Sequence, residues 1–229
     1  MKLSIVMPVY NEEKTILNIV DRVMAAPVEK ELIVVDDCSD DGTPDALEKI
    51  RDKYPEVKIL RNSSNRGKGY AVRRGFEVAT GDVFLIQDAD LEYDPNDYSR
   101  ITGAFLKEGV QVVYGSRFLG RCENMLFAQL VANKFFNLLT NLINGTRLTD
   151  ACTCYKSFKA DVIRNLPLES EGFGICHELT AKISKKDLAI TEVPLNYRAR
   201  TWKEGKKAGY RSFFTTAAAI LRFGLARSS

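Results

Sequence analysis

Short apolar runs alternate with segments of helical periodicity through the first half of the chain. The runs Leu3–Val9, 31–35, 57–60, Val83–Ile86 and 110–114 predict strands. Apolar residues recurring every three or four positions predict helices over 12–24, after Thr43-Pro44, and over 68–79. Thr43 followed by Pro44 suits an N-cap with proline at the first helical position. Strands of this length alternating with helices imply the α/β class, a mostly parallel sheet with helices on both faces. Ligands in such folds bind at the carboxyl ends of the strands. Four polar clusters follow predicted strands: Tyr10-Asn11-Glu12, Asp36-Asp37, Asp88-Ala89-Asp90 and Gly115-Ser116-Arg117. Together they predict a site on one edge of the sheet.

The second half carries a long helical pattern over 126–143, whose apolar side is expected to pack on the sheet, with burial in lipid the alternative for it and for the terminal helix. A strand at 153–158, a helix at 174–184 and a strand at 189–196 follow; Pro194 assigns the last to an edge or terminal position. A basic loop and an amphipathic helix over 210–222 end the sequence. No repeat or low-complexity linker divides the chain, so residues 1–229 are expected to form one domain.

Composition narrows the function classes. Hydrophobic residues make up 45% and charged residues 28%, with a mean hydropathy of −0.18, which is ordinary for a soluble globular protein. A net charge of +3 is too small to argue for nucleic acid, and no nucleic-acid partner is expected. Five cysteines (Cys38, Cys122, Cys152, Cys154, Cys176) at irregular spacing, with no signal peptide ahead of them, fit a reducing cytosol better than a disulfide scaffold. No run approaches the roughly 18 apolar residues of a membrane span. The nearest, 213–226, is interrupted by Arg222. The chain is therefore expected to lie on a membrane if it meets one.

The densest chemistry is GDVFLIQDADLEYDP, residues 81–95. Residues two apart on an extended chain face the same way, so Asp88 and Asp90 present two carboxylates to one side, with Glu92 a third candidate. Hard oxygen donors of this kind suit Mg²⁺ or Mn²⁺ bridging a diphosphate. Asp-x-Asp is common by chance, and only its setting makes it informative. NRGKGY, residues 65–70, opens a helix with two glycines and Lys68, where free amides and a positive dipole end favour phosphate. The segment RARTWKEGKKAGYR carries Arg198, Arg200, Lys203, Lys206 and Lys207 beside Trp202, Tyr210, Phe213 and Phe214, a mixture suited to an anionic membrane interface. Cys152, Cys154, Cys176 and His177 are soft ligands, but CxC spacing without a second pair is poor evidence for zinc.

Eight stretches, among them VMPVYNEE, IVVDDCSDDGT, NRGKGYAVRRGF, GDVFLIQDADLEYDP, LTDACTCYKSF and RTWKEGKK, run in order from residue 4 to about 207. In this order they resemble family-2 glycosyltransferases of the GT-A fold, and within them the polyprenyl- and dolichyl-phosphate sugar transferases. The resemblance implies a metal-dependent, inverting transfer from a nucleotide-diphospho-sugar to a polyprenyl or dolichyl phosphate. The donor would be GDP-mannose, UDP-glucose or a UDP-N-acetylhexosamine. It implies that Pro8, Val9, Tyr10, Asn11 and Glu12 surround the base and ribose, that Asp36 and Asp37 recognise them, and that Lys68 and Asp88 meet the nucleotide sugar. Asp88, Asp90 and Glu92 would hold Mg²⁺ or Mn²⁺. Arg117, Arg200, Lys206 and Lys207 would face the acceptor phosphate, and Asp150 would orient the donor sugar or a cation. Glu178 matches an acidic residue of the family's acceptor segment, although Cys176-His177 beside it departs from the usual acidic-proline pair. Residues 1–117 would form the donor half and 118–229 the acceptor half. The implied location is the cytoplasmic face of a membrane, by peripheral contact or through a membrane partner. The alternatives are transfer to a hydroxyl with Glu178 or Asp150 as base, and a non-catalytic nucleotide-sugar-binding module.

Overall fold

The computed structural model describes residues 1–200 and 210–226, with the side chains of 210–212 excluded. Trp202, Lys203, Lys206 and Lys207 and the Tyr210 side chain, expected at the acceptor and membrane side, lie outside the described residues. Seven strands form one sheet: β1 (Leu3–Val9), β2 (Lys30–Asp36), β3 (Lys58–Arg61), β4 (Val83–Ile86), β5 (Val112–Glu123), β6 (Lys156–Lys159) and β7 (Ile190–Arg198), in the order β3-β2-β1-β4-β6-β5-β7. The first four are mutually parallel, β6 runs antiparallel to both β4 and β5, and β7 pairs parallel with β5 at the edge. Val and Ile saturate β1, β2 and β4, and the runs IVV and VFLI are buried on both faces. Pro194 sits on that edge strand, where a missing N–H costs no inner ladder bond.

Helices α1 (Ile16–Ala25), α2 (Thr43–Lys53), α3 (Lys68–Val78), α4 (Tyr98–Phe105), α5 (Phe127–Asn144), α6 (Ala160–Arg164), α7 (Ile175–Lys185) and α8 (Tyr210–Leu225) complete the described elements, with a 3₁₀ turn at Pro95–Asp97. The sequence pattern assigned neither α4 nor α6. Helix α1 starts four residues later than the pattern predicts, because residues 11–15 form a turn: Asn11 has φ 52° and Thr15 Oγ1 donates to Glu12 Oε2 at 2.8 Å. Thr43 does not cap α2 with its side chain, since its hydroxyl accepts the Glu12 amide at 2.9 Å; Asp41 accepts the Thr43 amide instead.

Two expectations are corrected. Arg117 does not follow strand β5 but lies inside it, because pairing with β7 carries β5 on to Glu123 across a register shift between Ser116 and Arg121. Gly115 and Gly120 permit that pairing, since a Cβ on either would lie 2.0 Å from Leu195. Helix α5 does not bury its apolar side on the sheet: of its residues only Phe136 and Thr140 are buried. Phe127, Val131, Phe135, Leu138 and Leu142 form an outward stripe at helical spacing. Phe213 of α8 stacks on Phe135 at 5.9 Å and Phe214 packs on Phe213, so the apolar face spans both helices.

Candidate active site

Because β2, β1 and β4 are neighbours and parallel, their carboxyl ends emerge side by side. The loops after β1 and β2 are tied together: Asn11 Nδ2 donates to Asp40 Oδ1 at 2.6 Å and its Oδ1 accepts the Asp40 amide. Pro8 and Val9 close the strand beneath, and Tyr10 is left 40% exposed at the rim, where an aromatic ring can meet a base. Asp36 is fully buried; one oxygen accepts from the Ser39 hydroxyl and amide, and the other has no hydrogen-bond partner, with Arg61 Nε 3.5 Å away. Asp37 accepts from Asn62 Nδ2 and the Gly67 amide, each at 2.6 Å, and from the Arg66 amide. It therefore anchors the start of α3.

That start differs from the open amide cradle the sequence suggests. Asp37 takes the Arg66 and Gly67 amides, and the Glu171 carbonyl takes the Tyr70 amide at 3.0 Å. Gly67, at φ 92°, and Gly69 are required by the close approach of the loop over 169–172: a Cβ on Gly69 would lie 2.3 Å from the Ser170 carbonyl oxygen. Glu178 builds that loop. Fully buried, it accepts the Glu169 and Ser170 amides at 2.8 Å each and pairs with Lys182 at 2.6 Å. Its carboxylate organises the backbone over α3 and is fully engaged there, which is a positioning arrangement and not that of a proton-accepting base.

At the end of β4, Gln87 Oε1 accepts from Tyr98 and Tyr155 hydroxyls while its Nε2 donates to the Asp88 carbonyl, so the acidic turn is braced from below. Asp88 pairs with Lys68 at 2.5 Å, and Asp90 with Arg200 at 3.0 Å. Arg200 also pairs with Glu12 at 3.1 Å and approaches Glu92 at 3.8 Å. Burial would raise the Asp88 carboxyl, but Lys68 overrides it and holds it below the usual range. Asp90 goes the other way: burial first, then the charges of Asp88 and Glu92, push it up to about 8 despite Arg200. Glu92 accepts from the Tyr197 hydroxyl and the Arg200 amide, both at 2.8 Å. Among the described residues, no three acidic, cysteine or histidine side chains are gathered to hold a metal; this includes Cys152, Cys154, Cys176 and His177. The donor chemistry of Asp88 and Asp90 nonetheless fits a hard divalent ion, and Asp90's buried, under-neutralised carboxyl is what such a charge would relieve.

Arg117 and Asp150 form a second centre. The guanidinium donates through Nε and Nη2 at 2.7 and 2.8 Å, and the Arg117 amide donates to the same carboxylate at 3.0 Å. Both residues are buried, and Glu192 fixes Asp150 from behind by accepting the Thr149 and Asp150 amides. Tyr197 joins the two centres: its ring lies 5.1 Å from the Arg117 guanidinium and its hydroxyl donates to Glu92. Tyr93 packs between Tyr155 and Tyr197, with centroids at 4.7 and 5.1 Å. No sequence signal marks Gln87 and Tyr197; an amide and a tyrosine without local periodicity carry none until the sheet juxtaposes them. Lys206 and Lys207 lie outside the described residues.

A mixed α/β sheet with acidic residues at the carboxyl ends of neighbouring strands fits the GT-A fold. Residues 4–166 match the family described as glycosyl transferase family 2, and the chain belongs to it. It is 31% identical over 219 residues to dolichol-phosphate mannosyltransferase of Pyrococcus furiosus, a match covering 93% of this chain but 61% of that protein. The chain thus spans less than two thirds of that relative's length. It is 29% identical to undecaprenyl-phosphate mannosyltransferase of Micrococcus luteus, covering 91% of this chain and 88% of the relative. Among solved structures, mannosyl-3-phosphoglycerate synthase of Rubrobacter xylanophilus superposes with a TM-score of 0.75 at 21% identity, over 97% of this chain and 72% of that one. Glucosyl-3-phosphoglycerate synthase of Mycobacterium tuberculosis, crystallised with Mn²⁺, UDP and phosphoglyceric acid, gives a TM-score of 0.75 at 20% identity, over 100% of this chain and 80% of that one.

Proposed function

We propose that the chain, as one domain, moves a single sugar from a nucleotide-diphospho-sugar to a polyprenyl phosphate with inversion. The observation that carries this reading is the pairing of the half-buried Asp88 and the buried Asp90 with Lys68 and Arg200 at the carboxyl end of β4. Each cation can exchange a carboxylate for a phosphate oxygen. The names of the P. furiosus and M. luteus relatives favour a mannosyl donor and a polyprenyl phosphate acceptor. Pro8 to Glu12, with Asp36 and Asp37, would border the base and ribose.

Asp88 and Asp90 are the residues that would hold Mg²⁺ or Mn²⁺, which when bound neutralises charge on the leaving diphosphate. The rest of the work falls to the chain's own groups. Lys68, pinned over the end of β4, supplies a fixed positive charge on the donor side. Arg200 and Arg117 serve the acceptor phosphate, Arg200 directly and Arg117 from its seat on Asp150; Lys206 and Lys207, outside the described residues, are candidates for the same phosphate from sequence alone. A phosphomonoester is already an oxyanion near neutral pH, so alignment and clamping suffice and no general base is required. This matters for the hydroxyl-acceptor reading, whose candidate bases were Glu178 and Asp150. Both are buried and fully hydrogen-bonded within the protein.

No helix among the described residues is long and apolar enough to cross a membrane. The outward stripe of α5 with Phe213 and Phe214 of α8 supports peripheral seating on the cytoplasmic face of a membrane, directly or beside a membrane partner. The two helices carry no Asp or Glu, which agrees with an anionic lipid surface.

The test supplies purified protein with Mn²⁺ or Mg²⁺, labelled GDP- and UDP-sugars and a short polyprenyl phosphate. Label entering the organic phase, and lost on Asp90→Asn and Arg200→Ala, supports the reading and names the donor. Metal-dependent donor hydrolysis with no lipid product would overturn the acceptor and restore the hydroxyl alternative.

A further inference from the structure

Lys156, the first residue of β6, carries a charge that the fold buries completely. Its ammonium donates to the Ala151 carbonyl at 3.0 Å and to the Thr180 hydroxyl of α7 at 3.1 Å. It lies 3.6 Å from the centroid of the Tyr114 ring of β5. A carbonyl, a hydroxyl and a ring face are neutral partners, whereas a buried charge is ordinarily paired with an opposite one. Packing accounts for the stem of the side chain, which a methionine would fill as well, but not for the ammonium. Ala151 follows Asp150, so the turn that seats Arg117 is gripped by a second cation. Burial pulls the Lys156 ammonium down to about 8, and Cys176, Cys152, Asp150 and Cys154 oppose that pull. Burial also pushes the Cys152 thiol up to about 12 and Cys154 well above its ordinary value, so both are neutral. His177, driven down to about 3 by burial and then by Lys156, adds no charge. Asp150 supplies the opposing carboxylate.

We propose that Lys156 is a positioning residue of the acceptor centre, whose buried charge leaves the Arg117–Asp150 pair net positive toward an acceptor phosphate. The inference rests on the proposed polyprenyl phosphate acceptor. Arg117 and Asp150 alone cancel, and a neutral pair attracts an anion weakly. Lys156 restores one positive charge, and it acts from an interior where Coulomb interactions are stronger than in water. Glu192, which accepts the Asp150 amide, opposes it; that side chain is half-buried and lines a surface cavity, so water and salt screen its charge. The ammonium also fixes geometry. It ties the Ala151 carbonyl to Thr180, whose hydroxyl donates to the Cys176 carbonyl at 3.0 Å and shares a hydrogen bond of 3.1 Å with the Tyr114 hydroxyl. The turn after Asp150, strand β5 and helix α7 therefore meet on one charge, and a bond from an ionised donor is stronger than a neutral one.

The experiment supplies the purified chain with Mn²⁺, GDP-mannose or UDP-glucose and a short polyprenyl phosphate, and measures KM for donor and acceptor between about pH 7 and pH 9.5. Lys156→Met keeps the stem and removes the charge. Near neutral pH it should raise the acceptor KM roughly tenfold or more, the order of one hydrogen bond to a charged group, and leave the donor KM unchanged. In wild type the acceptor KM should rise as pH passes about 8, while in Lys156→Met it stays flat. The acceptor phosphate keeps its full charge over this range, so the rise belongs to the protein. Urea unfolding should show little loss for Lys156→Met, because a buried charge leaves with the ammonium. Wild-type stability should climb above about pH 8, where the unfolded chain still holds a proton that the fold has released. An unchanged acceptor KM in Lys156→Met overturns the inference, as does a wild-type acceptor KM that stays flat throughout. An equal rise of both KM values with a large loss of stability also overturns it, since that marks a packing residue. Should Lys156→Met fail to fold, the wild-type pH dependence decides alone. If no lipid product forms with either donor, the acceptor reading itself falls and takes the inference with it.

Discussion

Replacing Asp150 by Asn should destabilise the fold more than any exposed substitution and should do so through Arg117. Asp150 receives three hydrogen bonds from that one residue, two from the guanidinium and one from its amide, at 2.7 to 3.0 Å. Arg117 is 6% exposed and Asp150 1%, so neither can recover solvation when its partner is neutralised. Removing one member of a buried pair leaves an uncompensated charge, which typically costs about 3–5 kcal/mol. Against a total of roughly 5–15 kcal/mol for a domain, that is a large fraction. The companion variant Arg117→Met/Asp150→Leu removes both charges and leaves mainly the Arg117 amide without an acceptor, a loss of about 1–3 kcal/mol. Urea unfolding of the three proteins, with the slope checked for constancy, gives the comparison directly. The double variant should be more stable than Asp150→Asn, and raising the salt concentration should change neither difference, because buried pairs are weakly screened. A loss under about 1 kcal/mol for Asp150→Asn, the range of solvated surface pairs, would refute the argument.

Three further outcomes are expected. In metal-free protein, Asp90 titrates near 8 in the fold against about 3.8 in the unfolded chain, so its contribution to stability is full below about pH 4 and is lost as pH rises through about 8. Thermal unfolding in chelator should therefore fall between about pH 5 and pH 8.5 in wild type and flatten in Asp90→Asn; parallel curves would refute it. Glu178→Gln should loosen the loop over 169–172 at a cost of about 1–3 kcal/mol, lowering kcat/KM without removing the acidic limb of its pH profile; loss of that limb would make Glu178 a base. Leu138→Glu with Leu142→Glu should abolish sedimentation with anionic vesicles while shifting stability by no more than about 0.5 kcal/mol, since both side chains are exposed; a large loss of stability would place the stripe in a packed interface instead.

The parallel half of the sheet was legible because isolated Val- and Ile-rich runs bounded by polar turns have no other stable reading; Val83–Ile86 matches its predicted limits at both ends. The position of the carboxylates followed from topology, since parallel strands place their carboxyl ends together. What the chain did not reveal locally depends on distant residues. GSRFLGRCE lacks strand alternation and becomes strand only through β7, some seventy residues on. The periodicity of α5 identified an apolar stripe but not its direction, and α8 was needed to turn it outward. Arg200 meets Glu12 across 188 residues, and no spacing rule connects them. Likewise the hydrogen bond from Tyr197 to Glu92, 105 residues away, has no local signal.

These distant pairings decide how the charges balance. Around the end of β4, Glu12, Asp88, Asp90 and Glu92 face two cations among the described residues, Lys68 and Arg200. With all four carboxylates ionised, these described groups would carry two negative charges more than they neutralise, in a setting where burial strengthens every interaction. Asp90 registers that excess as a carboxyl reluctant to ionise. One divalent ion supplies the missing charge, whereas a monovalent ion would leave half the deficit in place. A nucleoside diphosphate then returns negative charge to the same spot, where Lys68 and Arg200 can answer it without leaving the cluster. Both cations are thus held by the acidic residues they would have to share, and the metal-free protein bears an electrostatic cost that binding relieves. That is why Asp90→Asn should be less active and, in alkaline chelator, more stable than the wild type.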